Sequence, residues 1–535
     1  MPDLIVSANA VSFQRRDRLI LDEVSLRVHA RSRVALVGAN GSGKSTLLRL
    51  LAGLDTPSGG EIVRGPGTRI ALLPQVADRP PGHTVRRELA VRTGVAAAED
   101  EMDRLTGRLG DGDLGVLEAH AAAVDRWTAT GGADFEARLG PALEAVGIDR
   151  TWTERSCDSL SGGQMARVGL AALDLARVDC ALLDEPSNHL DAGGLEMLDR
   201  LIERAPFAIV LASHDRRLLE RAADDVVELD RTRSRLYRGG WDTYEREREA
   251  ERHAAGVAYE EATAEKRRLV ELERRIRQQG EVGERKARRK DEPDKHIRYG
   301  SIQSAQKNTA ASGIARRIEI VEIPEKPWEE NLSRLLLDAA QPVRTSAVAT
   351  VRDAVLVRGD WRSRPLDLTV GAGERMLLRG ANGSGKSSLI AALRGELKPV
   401  SGSVAVPGGL RFTELAQRGG VFEGESAPLV ATFRELSGLD ETTARTALAS
   451  MRLGPEIVAR PPSSLSPGER TRAELALLAQ LPAACLLLDE PSNHLDLEAL
   501  EVLESALEGW AGALVLASHD RAMRDRVRID RVVDL

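Results

Sequence analysis

The sequence predicts an α/β protein: two tandem copies of one strand-and-helix core, a helical insertion in the first copy, and a long α-helical hairpin linker between them. Three observations carry this. A set of short segments occurs twice, in the same order and at matched offsets. Within each copy, short apolar runs of buried-strand type alternate with helical stretches, the pattern of a mainly parallel sheet. The segment separating the copies is highly charged and mostly lacks strand signals.

The repeat is large. Gly38-Ala-Asn-Gly-Ser-Gly-Lys44-Ser45 recurs as Gly380-Ala-Asn-Gly-Ser-Gly-Lys386-Ser387, Leu182 to Asp191 recurs as Leu487 to Asp496, and Ala212 to Asp215 recurs as Ala517 to Asp520. Lys44 to Gln75 and Lys386 to Gln417 are both 31 residues, Leu160 to Asp184 and Leu465 to Asp489 both 24, and Asp184 to His214 and Asp489 to His519 both 30. One interval differs: Gln75 to Leu160 is 85 residues, Gln417 to Leu465 only 48. The first copy therefore holds an insertion, placed at about 85–135 and read as helical from its Ala, Leu and Glu content.

Taken in order, Arg33 to Val37 is an apolar strand leading into the Gly-rich loop, and Ser45 to Leu54 continues as a helix. Cys180 to Leu183 and Ile209 to Ala212 are buried-strand runs. Thr243 to about Arg285 contains no proline and has weak helical spacing at Leu269, Leu272 and Ile276; Pro293 breaks it, and a second helical stretch follows over about 298–322. Two long helices joined by a turn are the simplest reading. The expected division is 1–240, 241–325 and 326–535.

The loops Gly38 to Ser45 and Gly380 to Ser387 match G-x-x-x-x-G-K-[ST]. Their glycines let backbone N–H groups point at phosphate oxygens, Lys44 and Lys386 supply charge to the β/γ-phosphates, and Ser45 and Ser387 offer hydroxyls to Mg²⁺. Asp184 and Asp489 end apolar strands, at the mouth of a parallel sheet where ligands bind, and suit Mg²⁺. Glu185 and Glu490 follow, placed to polarise an attacking water. His214 and His519 end another strand, within reach of a γ-phosphate, and Gln75 and Gln417 could sense Mg²⁺ and the water. An Asp-Glu pair or a His alone reads as a solvated strand end or a structural residue; the ordered, spaced co-occurrence is what points to nucleotide chemistry.

That order, with Leu160-Ser-Gly-Gly-Gln164 and Leu465-Ser-Pro-Gly-Glu469 as signatures, resembles ATP-binding-cassette domains. The resemblance implies two ATPs held head to tail. One site would join the loop Gly38, Ala39, Asn40, Gly41, Ser42, Gly43, Lys44, Ser45 and Thr46 to Ser466 and Gly468. The other would join Gly380, Ala381, Asn382, Gly383, Ser384, Gly385, Lys386, Ser387 and Ser388 to Ser161 and Gly163. A signature serine and its helix N-terminus would stabilise the γ-phosphate from the opposite side. The family often stacks adenine on an aromatic: Phe13 is the candidate in the first copy, and Val355, Val357 or Trp361 stands there in the second. Pro467 and Glu469 depart from the first signature but leave its Ser and Gly in place.

Composition narrows the class. The three cysteines, Cys157, Cys180 and Cys485, form no framework, which fits a reducing compartment. The first ten residues lack a charged start followed by an apolar core, so no signal peptide is expected. No run of about 18 apolar residues exists, so no membrane helix is expected and a cytoplasmic location follows. Tandem cassettes, the Ser-Asn-His-Leu-Asp continuations at 187–191 and 492–496, the insertion and the charged linker together resemble the ABC-F group of translation-associated ATPases. Members bind the ribosomal exit site in the ATP state, and their linker reaches toward the peptidyl-transferase centre. The net charge of the chain is -7, yet within the expected linker tip, about 283–301, the stretch 285–298 sets Arg285, Lys286, Arg288, Arg289, Lys290, Lys295 and Arg298 against Asp291, Glu292 and Asp294. A basic tip suits phosphates of ribosomal RNA and P-site transfer RNA. The resemblance implies a monomer with intramolecular cassette pairing and leans to antibiotic resistance by ribosomal protection. A housekeeping translation factor is the alternative within the group, and the ATPase subunit of a drug exporter the alternative outside it.

Overall fold

A computed structural model of the chain describes every residue except 1–2, 17, 75–81, 189, 231, 289–308, 310–311, 319, 323–342, 344, 360, 416–421, 423–425, 452 and 494. It divides into two compact units, Met1–Tyr244 with Asn331–Leu535, and Glu245–Glu330. The first unit contains both cassettes.

In the first cassette a six-stranded sheet runs in the order Ile70–Leu73, Cys180–Asp184, Ala208–Ala212, Arg33–Gly38, Asp225–Asp230, Arg233–Arg238. All neighbours are parallel except the last pair. The second cassette repeats the plan with Phe412–Leu415, Cys485–Asp489, Ala513–Ala517, Arg375–Arg379 and Arg531–Asp534, all parallel. The runs Cys180–Asp184, Ala208–Ala212, Cys485–Asp489 and Ala513–Ala517 are buried at every residue. A strand covered on both faces has no polar side, which is why these read as unbroken apolar runs. Each cassette adds a three-stranded antiparallel sheet, centred on Leu4–Arg15 in the first and Ala347–Val355 in the second. Parallel strands end together, so their carboxyl ends line up one edge of the sheet, and the candidate Asp, Glu and His residues lie along it.

The longer interval of the first cassette contains helices Val85–Arg92, Val95–Gly110 and Leu117–Thr130. The last two pack on each other around Leu105, Val116 and Ala123, with Met102 and Leu109 against them. The second unit carries most of one 49-residue helix, Gly240–Arg288, about 74 Å long at 1.5 Å per residue. Residues 312–318 are helical as well. The basic tip from 289 to 301 lies outside the described residues. Among the described residues no helix is long and apolar enough to cross a membrane.

Candidate nucleotide sites

Each Gly-rich loop joins a buried strand to a helix, Lys44–Ala52 in the first cassette and Lys386–Leu393 in the second. The residue before each helix has a left-handed backbone, Gly43 at φ 102° and Gly385 at φ 109°. A Cβ there would lie 2.7 Å from Leu21 Cδ2 at Gly43 and 2.3 Å from the Trp361 ring at Gly385, so glycine is required on both counts. Lys44 Nζ donates to the carbonyls of Gly38 (2.7 Å) and Ala39 (3.3 Å), and Lys386 Nζ to those of Gly380 (2.9 Å) and Ala381 (3.4 Å). Burial lowers the pKa of both lysines, opposed by Glu185, Asp496 and Asp184 around Lys44 and by Glu490, Asp489 and Asp191 around Lys386.

The strand ends deliver the carboxylates. Asp184 meets the hydroxyl of Ser45, and Asp489 that of Ser387. In each aspartate Oδ1 is buried without a hydrogen-bond partner. A buried, orphaned carboxylate oxygen beside a serine hydroxyl is a hard oxygen-donor set, and it fits Mg²⁺. Glu185 and Glu490 both adopt positive φ, 50° and 49°. A conformation this sparsely populated, at the same place in both cassettes, is a mark of a functional constraint. Each backbone N–H is held by a carbonyl of the neighbouring strand, Ala212 and Ala517, at 2.8 Å. Burial pushes the Glu185 carboxyl up to about 8 and Glu490 up to about 7, the range in which a general base is most effective near neutral pH.

His214 and His519 sit directly over these carboxylates. The backbone N–H of each donates to the glutamate, His214 to Glu185 Oε2 at 3.3 Å and His519 to Glu490 Oε2 at 3.1 Å. Burial depresses both imidazoles, His214 well below its usual range and His519 to about 4. The rings differ in their neighbours: His214 Nε2 is 3.2 Å from Asn40 Oδ1, whereas His519 Nε2 is 3.0 Å from Lys386 Nζ. Gln75 and Gln417 lie outside the described residues.

The signatures cap helices. Ser161 heads Gly162–Leu175, where its hydroxyl accepts from Gln164 N (3.3 Å) and Gln164 Oε1 accepts from Ser161 N (2.8 Å). Ser466 heads Pro467–Leu478 with the same reciprocal pair made by Glu469, at the same distances. Glu469 therefore performs the capping that Gln164 performs, and Pro467 occupies the first helical turn, where its missing N–H costs nothing.

A cavity of about 960 Å³ is lined by Ser161, Gly162 and Gly163 of the first cassette and by Asn382 to Ser388, Asp489, Glu490 and His519 of the second. The two halves of one expected site are thus together across the cassette junction. Trp361 and Arg358 line the same cavity, while Val355 is buried and Phe13 is half-buried against the first cassette's core. At the other site the cross-cassette contact is Asp496 Oδ2, which accepts from Asn40 N at 3.2 Å. Sequence reasoning passed over Asp191, Asp496 and Arg358 as site residues. The first two were visible as the last residues of the repeated Leu-Leu-Asp-Glu-Pro-Ser-Asn-His-Leu-Asp segments; Arg358 carried no signal.

The ABC transporter family pattern matches residues 21–188 and 363–493. Among curated proteins, the chain is 33% identical over 545 residues to the tylosin resistance ATP-binding protein TlrC of Streptomyces fradiae, covering 98% of this chain and 96% of that one. It is 30% identical over 548 residues to the energy-dependent translational throttle protein EttA of Mycobacterium tuberculosis, covering 98% and 90%. Among solved structures, the archaeal ribosome recycling factor aABCE1, in complex with the stalk protein aP1, superposes with TM-score 0.58 at 19% identity, covering 98% of this chain and 87% of that one. That likeness concerns the fold.

Proposed function

This chain belongs to the ABC-F branch of the ATP-binding-cassette ATPases, and from that premise we propose that it acts on the bacterial ribosome as an antibiotic-resistance protein of the ribosomal-protection type. The ATP sites are composite. Lys386, Ser387, Asp489, Glu490 and His519 form one with Ser161 and Gly163; Lys44, Ser45, Asp184, Glu185 and His214 form the other with Ser466 and Gly468. The observation that carries this is the cavity joining the first signature to the second Gly-rich loop.

Within each site the loop N–H groups and the lysine bind the phosphates. The serine hydroxyl and the orphaned aspartate oxygen would hold Mg²⁺, a role the sequence pattern also assigns to Gln75 and Gln417; when bound, the cation would neutralise charge on the phosphate oxygens. Glu185 or Glu490 accepts the proton of the attacking water, and the neutral His214 or His519 donates or accepts at the γ-phosphate edge without adding charge. The capped signature helix directs its N-terminus at the phosphate from the other cassette. ATP thereby bonds the cassettes together, and hydrolysis lets them part.

The ATP-bound protein would enter the exit site from the cytoplasm, and the linker tip at about 283–301 would shift transfer RNA or nearby ribosomal RNA until the drug leaves. The likeness to the tylosin resistance protein supports this reading. A housekeeping translation factor is the second reading, supported by the comparable likeness to the translational throttle protein. Expression in a susceptible bacterium distinguishes them. Protection predicts a raised inhibitory concentration for at least one class of ribosome-targeting drug, lost when the basic residues of 285–298 are replaced by serine. Unchanged sensitivity to every class, with ATP-dependent ribosome binding intact, would contradict it and favour the second reading.

A further inference from the structure

Two residues beyond each of His214 and His519 stands an arginine that reaches into the opposite cassette. Arg216 donates to Glu504 Oε1 at 3.0 Å and Oε2 at 2.7 Å, and approaches the Leu497 carbonyl at 3.5 Å. Arg521, its equivalent under the repeat, donates to Asp199 Oδ2 at 2.8 Å, and Asp199 is the equivalent of Glu504. The two contacts are not equal. Arg216 and Glu504 have side chains only 2% and 6% exposed, and Arg216 meets both carboxylate oxygens; Arg521 and Asp199 are 14% and 11% exposed, and Arg521 meets one oxygen. Each carboxylate also meets a second arginine of its own cassette, Glu504 with Arg526 at 3.4 Å and Asp199 with Arg221 at 2.9 Å. Leu497, at the head of the helix carrying Glu504, is buried in the core of the first cassette.

The Arg216 contact closes a ring. Asp496 caps the helix Leu497–Glu508, accepting from Ala499 N at 3.0 Å. Its other oxygen accepts from Asn40 N in the first Gly-rich loop, and the Asn40 side chain meets His214, two residues from Arg216. Across the pseudo-twofold, Asp191 also caps its helix and lies near Lys386 and His519, but its Oδ1 is further bound by Arg167 at 2.6 Å, and His519 Nε2 is 3.0 Å from Lys386 Nζ.

We propose that Arg216 is a positioning residue for ATP hydrolysis at the Lys44 site: by gripping Glu504 it fixes His214 and Asn40 against the helix capped by Asp496, so that this site is set only when the cassettes are docked. The inference rests on the ATP-site reading above. Nη1 of Arg216 meets both oxygens of Glu504 while Nη2 faces the Leu497 carbonyl, so one planar group held away from water touches the helix at two points, which fixes it more tightly than a solvated pair does. It follows that the two sites are unequal, the Lys44 site depending on its arginine more than the Lys386 site does.

The test replaces each ion pair by methionines of similar volume, because removing one partner alone would leave a buried charge uncompensated. In the full chain, Arg216→Met with Glu504→Met should lower kcat about tenfold while KM and the affinity for a fluorescent ATP analogue change by less than about twofold. Arg521→Met with Asp199→Met should lower kcat by about twofold at most. Arg216→Lys keeps the charge but has no planar group to face Glu504 and the Leu497 carbonyl together, and should lower kcat about threefold; it serves as the arbiter if the paired variant does not fold. Equal kcat losses in the two paired variants, or an unchanged kcat in Arg216→Lys, overturns the proposal. Glu185→Gln with Glu490→Gln is measured alongside. Residual turnover there would remove the ATP-site reading itself and this proposal with it; inactivity there with equal losses in the paired variants removes the positioning role alone.

Discussion

At the scale of residues, Glu185 and Glu490, beside the strand-end aspartates Asp184 and Asp489, combine burial, strained backbone and a raised pKa. A carboxyl that holds its proton more tightly when folded favours the folded state most at low pH. For Glu185 and Glu490 that contribution is complete below their ordinary value of 4.5 and is lost as the pH rises to about 8 and about 7, respectively. The histidines act in the opposite sense, because their depressed pKa costs stability as the pH falls below 6.5. A difference measurement isolates the carboxyls. Without nucleotide, the melting temperature of Glu185→Gln with Glu490→Gln, relative to the unaltered protein, should rise between pH 5 and pH 8 by on the order of a few degrees. A flat difference would mean that the two carboxyls are ordinarily ionised in the empty sites. Most residues that the structure brings together at the candidate sites could be picked out in the sequence, because they recur at matched offsets: Lys44, Asp184, Glu185 and His214 return as Lys386, Asp489, Glu490 and His519. Arg216 was not legible. Its partner Glu504 is 288 residues away, and neither belongs to a local motif.

At the scale of elements, the second signature shows how a sequence departure can leave a structure unchanged. Glu469 differs from Gln164 in charge, but both close a capping box on the preceding serine. Glu469→Gln should therefore leave stability nearly unaltered. Glu469→Ala opens the box and should cost about 1 kcal/mol in urea unfolding. Equal effects of the two substitutions would show that the charge, which also meets Arg460 at 3.4 Å, matters more than the cap. The buried strands were legible because two-sided burial leaves continuous apolar runs. The helix Gly240–Arg288 was legible from its composition and absence of proline. The adenine-stacking candidate of the second cassette stayed open among Val355, Val357 and Trp361, since stacking needs only one aromatic from any nearby turn; of these Trp361 lines the cavity, from the hairpin of Val357–Arg358 and Trp361–Arg362, six positions along from Val355, the equivalent of Phe13.

At the scale of the whole molecule, the repeat offers a reason for two cassettes on one chain. On the proposed reading each cassette would hold the Gly-rich loop of one site and the signature of the other, so that docking the two halves would assemble both. The docked arrangement is held by cross-cassette contacts at Asn40–Asp496, Arg216–Glu504 and Arg521–Asp199, which could not be read from the sequence because they join segments of different copies. The proposed function requires that the docked form, once ATP is bound, is the one that binds ribosomes. Its most direct test is co-sedimentation of Glu185→Gln with Glu490→Gln with bacterial ribosomes, with and without ATP. The account predicts pelleting with ribosomes in ATP and little without it. A protein that binds ATP yet stays in the supernatant under both conditions would contradict it.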